Sequence, residues 1–289
     1  MLRTDEGLAS ETIGVASLNI LYDKRRTEKG LVEPQHQRIE SLAQTIGSLP
    51  LSRLSIVMLQ EVHVTDEHHN GQHLAELLEF EPDEQHWFPH NRKGEHLGVL
   101  GRNIDEAYGF DIGDKRIAAA AIMGKIAFIN LHHRSGRSNG HLRTEQMGRV
   151  MEEVDVLDAR GITKIVLAGD TNDHPLHDSR LMLARAGFTS VYKMNGWRSY
   201  IPGPSILPTT FPTKNYREIL LTPQQRRAVP FGIPLDILEV RGFEKREVVQ
   251  TGVEMTKKSD HKTLYAELAP KNDILAGNGP IADINFGSR

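Results

Sequence analysis

The sequence predicts an α+β protein in which packed β-sheets are flanked by helices. Eight short stretches rich in apolar and β-branched residues are typical of strands, and three longer stretches repeat their apolar residues at helical spacing. The strands and helices do not alternate one for one, as a doubly wound parallel sheet would require. Stacked sheets with helices outside them are therefore favoured.

The predicted elements extend over most of the chain. Strands are predicted at 12–21, 52–60, 96–103, 116–123, 125–133, 163–170, 234–240 and 262–269. Helices are predicted at 35–49, 144–161 and 179–188. The first helix places Ile39, Leu42, Ala43 and Ile46 on one face, and the second ends at Gly161.

The composition limits the possible partners. The 35 Lys and Arg against 38 Asp and Glu give a net charge of -3, so a polyanion would have to be held locally rather than by a general field. The absence of cysteine excludes disulfides and thiolate metal sites. Neither a secretory signal nor a membrane-spanning segment is apparent, so a cytoplasmic protein is expected.

No repeat or composition break divides the 289 residues into two domains. We expect an N-terminal extension at 1–11, one domain at 12–269 and a flexible C-terminal tail at 270–289, which is rich in Gly and polar residues. The Pro-rich stretch 202–234 is interpreted as a long ordered loop, with a small subdomain as the alternative.

Polar residues stand at strand ends, or within strands, where sheet patterning does not require them. They are Asn19, Glu61, Asn130, His132, Asp170, Asn172, Asp236, Asp260 and His261. Taken singly, each has an ordinary alternative as a solvated strand end, a turn former or a hydrogen-bonded core histidine. As a set, carboxylates and amides without thiols suit Mg²⁺ or Mn²⁺, and histidines transfer protons near neutral pH. The set indicates a metal site that hydrolyses a phosphate ester.

The motifs that carry these residues resemble a known family. The strings "SLNIL", "LQEV", "NLHH", "GDTN", "PLDIL" and "SDH" occur in that order. They are similar to the motifs of the endonuclease/exonuclease/phosphatase superfamily, which has the deoxyribonuclease I-like fold, over about residues 12–268. The resemblance implies a four-layer α/β sandwich of two packed, mostly antiparallel β-sheets flanked by helices, with the site at one edge.

The same resemblance implies a metal centre and a water-activating group. Glu61 resembles the principal metal ligand, with Asn19 and Asp260 close to a Mg²⁺ or Mn²⁺ ion. Asp170 is similar to the carboxylate that orients or deprotonates the attacking water. Asn172 is similar to the amide that holds a non-bridging phosphate oxygen.

Two histidines complete the implied site. His261 resembles the terminal histidine that contacts the scissile phosphate and acts as general base, with Asp236 as its carboxylate partner. His132 would lie opposite and would stabilise the developing charge or protonate the leaving oxygen. Glu95 or His96 is a candidate support for His132, with a solvated loop as the alternative.

Substrate-binding residues are predicted beside this site. Asn130 precedes His132 on the same strand, and Arg134 follows it at the presumed active edge, where a guanidinium could clamp a phosphate. Arg143 and Arg149 are interpreted either as further clamps or as solvated helix positions.

The predicted activity is divalent-metal-dependent hydrolysis of phosphate esters by a phosphodiesterase or nuclease, with nucleic acid as one candidate substrate. A phosphomonoesterase or a lipid or inositol phosphatase of the same fold is an alternative, and so is a catalytically silent binding module. A zinc site in the stretch "EVHVTDEHHNGQH" is disfavoured because its spacing fits no recurrent zinc pattern. The sequence predicts no particular oligomeric state.

Overall fold

A computed structural model describes residues 12–20, 35–64, 69–90, 94–173, 177–195, 235–254, 259 and 261–271. The strands are β1 (Ile13–Asn19), β2 (Leu54–His63), β3 (Gln85–Pro89), β4 (Glu95–Gly101), β5 (Glu106–Gly113), β6 (Arg116–Met123), β7 (Ile126–His132), β8 (Lys164–Asp170), β9 (Thr189–Ser190), β10 (Asp236–Arg241), β11 (Val248–Glu254) and β12 (Thr263–Leu268). The helices are α1 (Gln35–Gly47), α2 (Asn70–Leu77), α3 (Gly140–Ala159), α4 (Asp178–Arg185) and α5 (Val191–Met194).

The strands of the described ranges form two sheets of six strands each. The first sheet has the order β11-β12-β1-β2-β4-β3, and the second has the order β5-β6-β7-β8-β10-β9. In each sheet one central pair is parallel, β1 with β2 and β7 with β8, and the other pairs are antiparallel. The predicted pair of mostly antiparallel sheets is therefore confirmed.

Side chains from the two inner faces form the central core, and helices cover the outer faces. Met58 of β2 and Phe128 of β7 belong to the cluster between the sheets. Helices α1 and α2 bury Leu42 and Leu74 against the first sheet. Helix α3, through residues such as Val150, covers the second sheet together with α4. Across the central core, β1 and β2 pack against β7 and β8, so the polar ends of these strands meet at one edge of the sandwich.

Some elements were missed by the sequence analysis, and their burial explains why. Strands β3 and β5 contain mostly half-buried residues at sheet edges, so the apolar alternation that marks a strand is weak there. Strand β9 has two residues only, and β11 mixes buried with exposed positions.

Helix α2 begins at Asn70, inside the stretch "EVHVTDEHHNGQH", where the sequence predicts no helix. The helix begins with polar residues, and His69 is its N-cap, accepting a hydrogen bond from the Gln72 backbone amide. Only a few residues of the helix are buried, so its apolar periodicity is weak. Helix α3 also begins earlier than predicted, at Gly140.

Several predictions fall on residues that lie outside the described ranges. These are the N-terminal extension, nearly all of the C-terminal tail, the Pro-rich stretch and the proposed metal ligand Asp260. None of the helices in the described parts of the chain combines the length and apolar character needed to cross a membrane.

Candidate active site

The site lies at the edge where the two central parallel strand pairs end. Because parallel strands end at the same edge of a sheet, β1 and β2 bring Asn19 and Glu61 together, and β7 and β8 do the same for His132 and Asp170. His132 and Asp170 are register partners. Strands β1 and β2 pack across from β7 and β8, so the two polar pairs face each other.

Two carboxylates from opposite sheets face a common space. The Asn19 side-chain amide donates to Glu61 Oε1 at 3.0 Å and to Asp170 Oδ2 at 3.2 Å. Ligand atoms of Glu61, His132 and Asp170 all lie within 4.8 Å of one another. Neighbouring carboxylates repel unless positive charge lies between them, and the amide supplies only a partial charge. The oxygen-rich set therefore fits a hard divalent cation such as Mg²⁺ or Mn²⁺.

Glu61 reaches this space because β2 contains a β-bulge. The register with β4 passes from Leu59 opposite Gly98 to Val62 opposite His96, so two residues of β2 oppose one of β4. Leu59 and Val62 both pack on the helix side of the sheet, whereas Glu61 faces the other sheet. Glu61 has a φ of 55°, a left-handed conformation that costs on the order of 1–3 kcal/mol unless its surroundings hold it.

The first histidine of the site is held by a carboxylate on the other sheet. His132 Nδ1 lies 3.0 Å from Glu95 Oε1, and both side chains are almost completely buried. Burial alone would lower the pKa of His132, but the hydrogen bond to Glu95 and the charges of Glu61 and Asp170 outweigh it, so the pKa is raised. Glu95 therefore stabilises the protonated imidazolium form.

The support for His132 is thus Glu95 rather than His96, an alternative that the sequence left open. Glu95 is in phase with Leu97 and Val99, which face the core between the sheets, whereas His96 points to the opposite face. The alternation along "EHLGV" is the signal that identifies Glu95.

Another buried histidine, His90, packs against His132 but is not one of the two histidines that face Asp170. The rings of His90 and His132 stack at 5.4 Å between centroids. His90 Nδ1 lies 3.0 Å from the Ile117 carbonyl oxygen, and His90 Nε2 lies 2.8 Å from Nη1 of Arg116. Burial, with the charges of His132 and Arg116, lowers the pKa of His90 to about 2. A neutral His90 places no second imidazolium beside His132.

The second histidine of the site, His261, is also held at Nδ1 by a carboxylate of the other sheet. Here the histidine belongs to the first sheet and the carboxylate to the second. His261, which precedes β12 of the first sheet, has its Nδ1 2.9 Å from both carboxylate oxygens of Asp236 on β10 of the second sheet. The Ser259 hydroxyl accepts from the His261 backbone amide and donates to the Asn19 carbonyl, which ties this segment to β1. The bond at Nδ1 fixes the tautomer and the ring orientation.

Both histidines direct Nε2 at one oxygen. His132 Nε2 lies 3.8 Å from Asp170 Oδ2, and His261 Nε2 lies 3.7 Å from the same atom. Asp170 lies at the end of β8, which approaches β7 closely at Gly169, a residue with a φ of 135°. A Cβ there would lie 1.9 Å from the Leu131 carbonyl oxygen.

Asn172 lies beside Asp170 and is already engaged with the protein. Its backbone amide donates to Asp170 Oδ1 at 2.8 Å, and its side-chain amide donates to the His133 carbonyl at 3.1 Å. Its φ of 48° is one that asparagine tolerates better than most residues. Contact with a phosphate oxygen stays a prediction.

Asn130 is two residues before His132 in the sequence, but its side chain is not accessible from the site. It is completely buried between the sheets, where its amide donates to the Leu59 and Gly98 carbonyls at 2.9 Å and its Oδ1 accepts from Gln60. This position leaves no surface for a substrate. We therefore do not retain Asn130 as a substrate-binding residue.

The predicted phosphate-clamping arginines are engaged with carboxylates. Arg134 is about one third exposed, and its Nε lies 3.5 Å from Asp114 Oδ2. Arg143 is buried against Asp173, and the half-exposed Arg149 pairs with acidic neighbours. A phosphate-binding role for Arg134 stays a prediction. Arg143 instead links structural elements within the protein.

The site also contains every group of potential metal ligands found within the described residues. The groups are His90 with Glu95 and His132, Glu61 with His132 and Asp170, and Asp170 with Asp236 and His261. The described histidines of the alternative zinc stretch, such as His63 and His69, belong to none of them.

The sequence of residues 16–261 matches the endonuclease/exonuclease/phosphatase family, and the chain belongs to that family. Membership supports phosphate-ester hydrolysis as the class of activity, and the family generally uses divalent metal ions. No curated protein sequence matches this chain.

Solved structures with the same fold have low sequence identity. A functionally unknown conserved protein from Enterococcus faecalis is 20% identical with a TM-score of 0.62, covering 89% of this chain and 100% of that one. D. rerio TDP2 complexed with single-strand DNA product is 16% identical with a TM-score of 0.59, covering 89% and 98%. A Bacteroides thetaiotaomicron mannosyl-6-phosphatase is 18% identical with a TM-score of 0.58, covering 89% and 99%. At these identities the likeness establishes the fold.

Proposed function

We propose that the protein is a divalent-metal-dependent phosphodiesterase that uses one histidine as base and the other as acid, with nucleic acid as the first substrate to test. One observation carries the proposal. Two histidines, each held at Nδ1 by a carboxylate of the other sheet, direct Nε2 at the same oxygen of Asp170. General acid–base catalysis requires such positioned groups.

A divalent ion would be held by Glu61 and Asn19 beside Asp170, and Asp260 is proposed as a further ligand. When bound, the ion neutralises charge on the phosphate and makes a bound water more acidic. The two closely spaced carboxylates of Glu61 and Asp170 supply the negative charge that the ion requires.

The proposed attack begins with a water oriented by Asp170. His261 Nε2 removes a proton from this water as its oxygen forms a bond to phosphorus. Asp236 stabilises the imidazolium that results, because both of its oxygens lie 2.9 Å from His261 Nδ1. The partial positive charge of the Asn172 amide is proposed to favour negative charge on a phosphate oxygen nearby.

The proposed departure uses the other histidine. As the ester P–O bond breaks, the His132 Nε2 proton moves to the leaving oxygen, which departs as an alcohol. Glu95, hydrogen-bonded to His132 Nδ1, is proposed to favour the protonated form of His132 and to orient its ring before this step. The products are a phosphate monoester and an alcohol, and exchange of one proton with solvent at each histidine restores the starting state.

The separate acid and base favour hydrolysis of an ester with a poor leaving group, such as the sugar oxygen of a nucleic acid. A catalytically silent binding module is disfavoured, because it would not need two histidines held by carboxylates beside a metal position. The structural relatives include both a protein with a DNA product and a sugar phosphatase. A phosphomonoesterase is thus the alternative to be tested directly.

The test is an assay with Mg²⁺ or Mn²⁺ on single-stranded DNA, double-stranded DNA, RNA, an aryl phosphodiester, an aryl phosphomonoester and phosphoinositides. Asp170→Ala and His261→Ala are compared with Glu76→Gln, which changes a carboxylate that is exposed on α2. We expect diester hydrolysis that chelator and both site substitutions abolish. Diester activity that survives the site substitutions, or activity restricted to monoesters, would contradict the proposal.

A further inference from the structure

The β2 bulge, formed by Gln60 and Glu61, is held by a side chain from the opposite sheet. Asn130 of β7 donates from its amide to the carbonyl oxygens of Leu59 and Gly98, each at 2.9 Å. Leu59 and Gly98 are the last register partners before the bulge. One carboxamide therefore bonds both strands at the point where their ladder is interrupted.

Gln60 completes the same network. Its side-chain amide donates to Asn130 Oδ1 at 2.7 Å and to the Ser17 hydroxyl at 3.2 Å. Gln60 and Asn130 are both completely buried. Because a buried amide is costly to leave unpaired, these bonds restrict the side of β2 on which Gln60 can lie.

Strict alternation would place Glu61 on the face opposite to Gln60, towards the helices and away from Asp170. The bulge instead lets both residues face the second sheet, at the expense of the left-handed φ of 55° at Glu61. A β-bulge can turn a side chain towards the other face of a sheet, and the hydrogen bonds of Asn130 lie directly beside this one.

We propose that Asn130 and Gln60 are positioning residues that hold the β2 bulge, and with it the Glu61 carboxylate, in the conformation that faces Asp170. Neither residue touches the substrate or the ion. The inference rests on the proposed function for the use of Glu61 as a metal ligand, but the conformation of Glu61 is measured independently of activity.

The test uses Asn130→Leu and Gln60→Met, which keep side-chain size and remove the hydrogen bonds. A crystal structure of each variant gives the φ of Glu61, and calorimetric titration with Mn²⁺ gives the affinity for the ion. We expect Glu61 to leave the left-handed region and the Mn²⁺ affinity to fall by about 10–100-fold. If one variant does not fold, the other provides the same two measurements.

Tyr192→Phe is the matched control, because it also removes a buried hydrogen bond, from the tyrosine hydroxyl to the Gly252 carbonyl, away from the bulge. It is expected to leave Mn²⁺ affinity unchanged. An unaltered Glu61 conformation with wild-type affinity in both variants would overturn the positioning role. A wild-type protein that hydrolyses no phosphodiester, while Glu61 moves in the variants, would overturn the function and leave the positioning role supported.

Discussion

Glu95 and His132 form a carboxylate–imidazole pair that spans the two sheets, with Glu95 Oε1 of β4 lying 3.0 Å from His132 Nδ1 of β7. His261 and Asp236 form the second such pair, with the sheets exchanged. Each pair requires the sheets to be packed in one relative position. The central core therefore also sets the geometry of the proposed chemistry.

Glu95→Gln keeps the size of the side chain and removes the charge that stabilises the His132 imidazolium. We expect kcat to fall by roughly 10–100-fold for a diester with an alkyl leaving group. The loss should be much smaller for a p-nitrophenyl leaving group, which needs no proton to depart. Steady-state kinetics on the two substrates, with Glu76→Gln as control, check this. Equal losses on both substrates would exclude a role for Glu95 in proton donation.

Asp236→Asn removes the charge that holds His261. Loss of an oriented base should lower kcat by about 10²-fold or more, whatever the leaving group. Because the two residues act as one unit, Asp236→Asn should cost little further in a His261→Ala background. Additive losses in the double variant would mean that Asp236 acts independently of His261.

Glu61→Gln tests the charge balance of the proposed metal position. Without metal, the substitution removes repulsion with Asp170, so thermal stability is expected to be equal to or higher than that of the wild type. Mn²⁺ at 100 times its dissociation constant should raise the free energy of unfolding of the wild type by about 3 kcal/mol. The increase for the variant should be far smaller. Calorimetric unfolding with and without Mn²⁺ measures both effects. If Mn²⁺ stabilised the variant as much as the wild type, the ion would not be bound by the Glu61 carboxylate.

His133→Phe tests the acid sensitivity of the fold. His133 is completely buried, and neither ring nitrogen has a hydrogen-bond partner among the described residues. Burial, with the charges of His132, Arg116, Arg143 and Arg180, lowers the pKa of His133 to about 3. Below pH 6.5 the unfolded chain binds a proton that the folded chain does not, so stability is lost as the pH falls from 6.5 towards 3.

We therefore expect the free energy of unfolding of the wild type to decrease between pH 7.5 and 5 by about 2 kcal/mol more than that of His133→Phe. The exposed His36, replaced in His36→Asn, is the control and should behave as the wild type does. Urea unfolding at the two pH values gives the comparison. Parallel pH dependence of the wild type and His133→Phe would show that His133 does not carry this linkage.

The strand-end residues were predictable because sequence alone shows polar groups after apolar runs. Asn19, Glu61, His132 and Asp170 meet as expected once the two parallel pairs end at one edge. The fold class was predictable for a related reason, since buried strands and amphipathic helices have strong periodic signals.

Other features depend on pairings that a single sequence does not reveal. The bulge at Glu61 breaks the alternation from which a face would be inferred, and it exists only through the register of β2 with β4. Asn130 lies in a strand with catalytic candidates, yet its contacts across the sheets place it in the interior. The edge strands β3 and β5 carry weak patterns because most of their residues are only partly buried or are exposed.

Anomalous diffraction from a crystal of the wild-type protein soaked in Mn²⁺ would test the proposed metal position most directly. One strong peak is expected within coordination distance of a Glu61 carboxylate oxygen, on the side that faces Asp170. A peak at the His90, Glu95 and His132 group instead, or no peak near Glu61 in crystals whose protein is active with Mn²⁺, would contradict it.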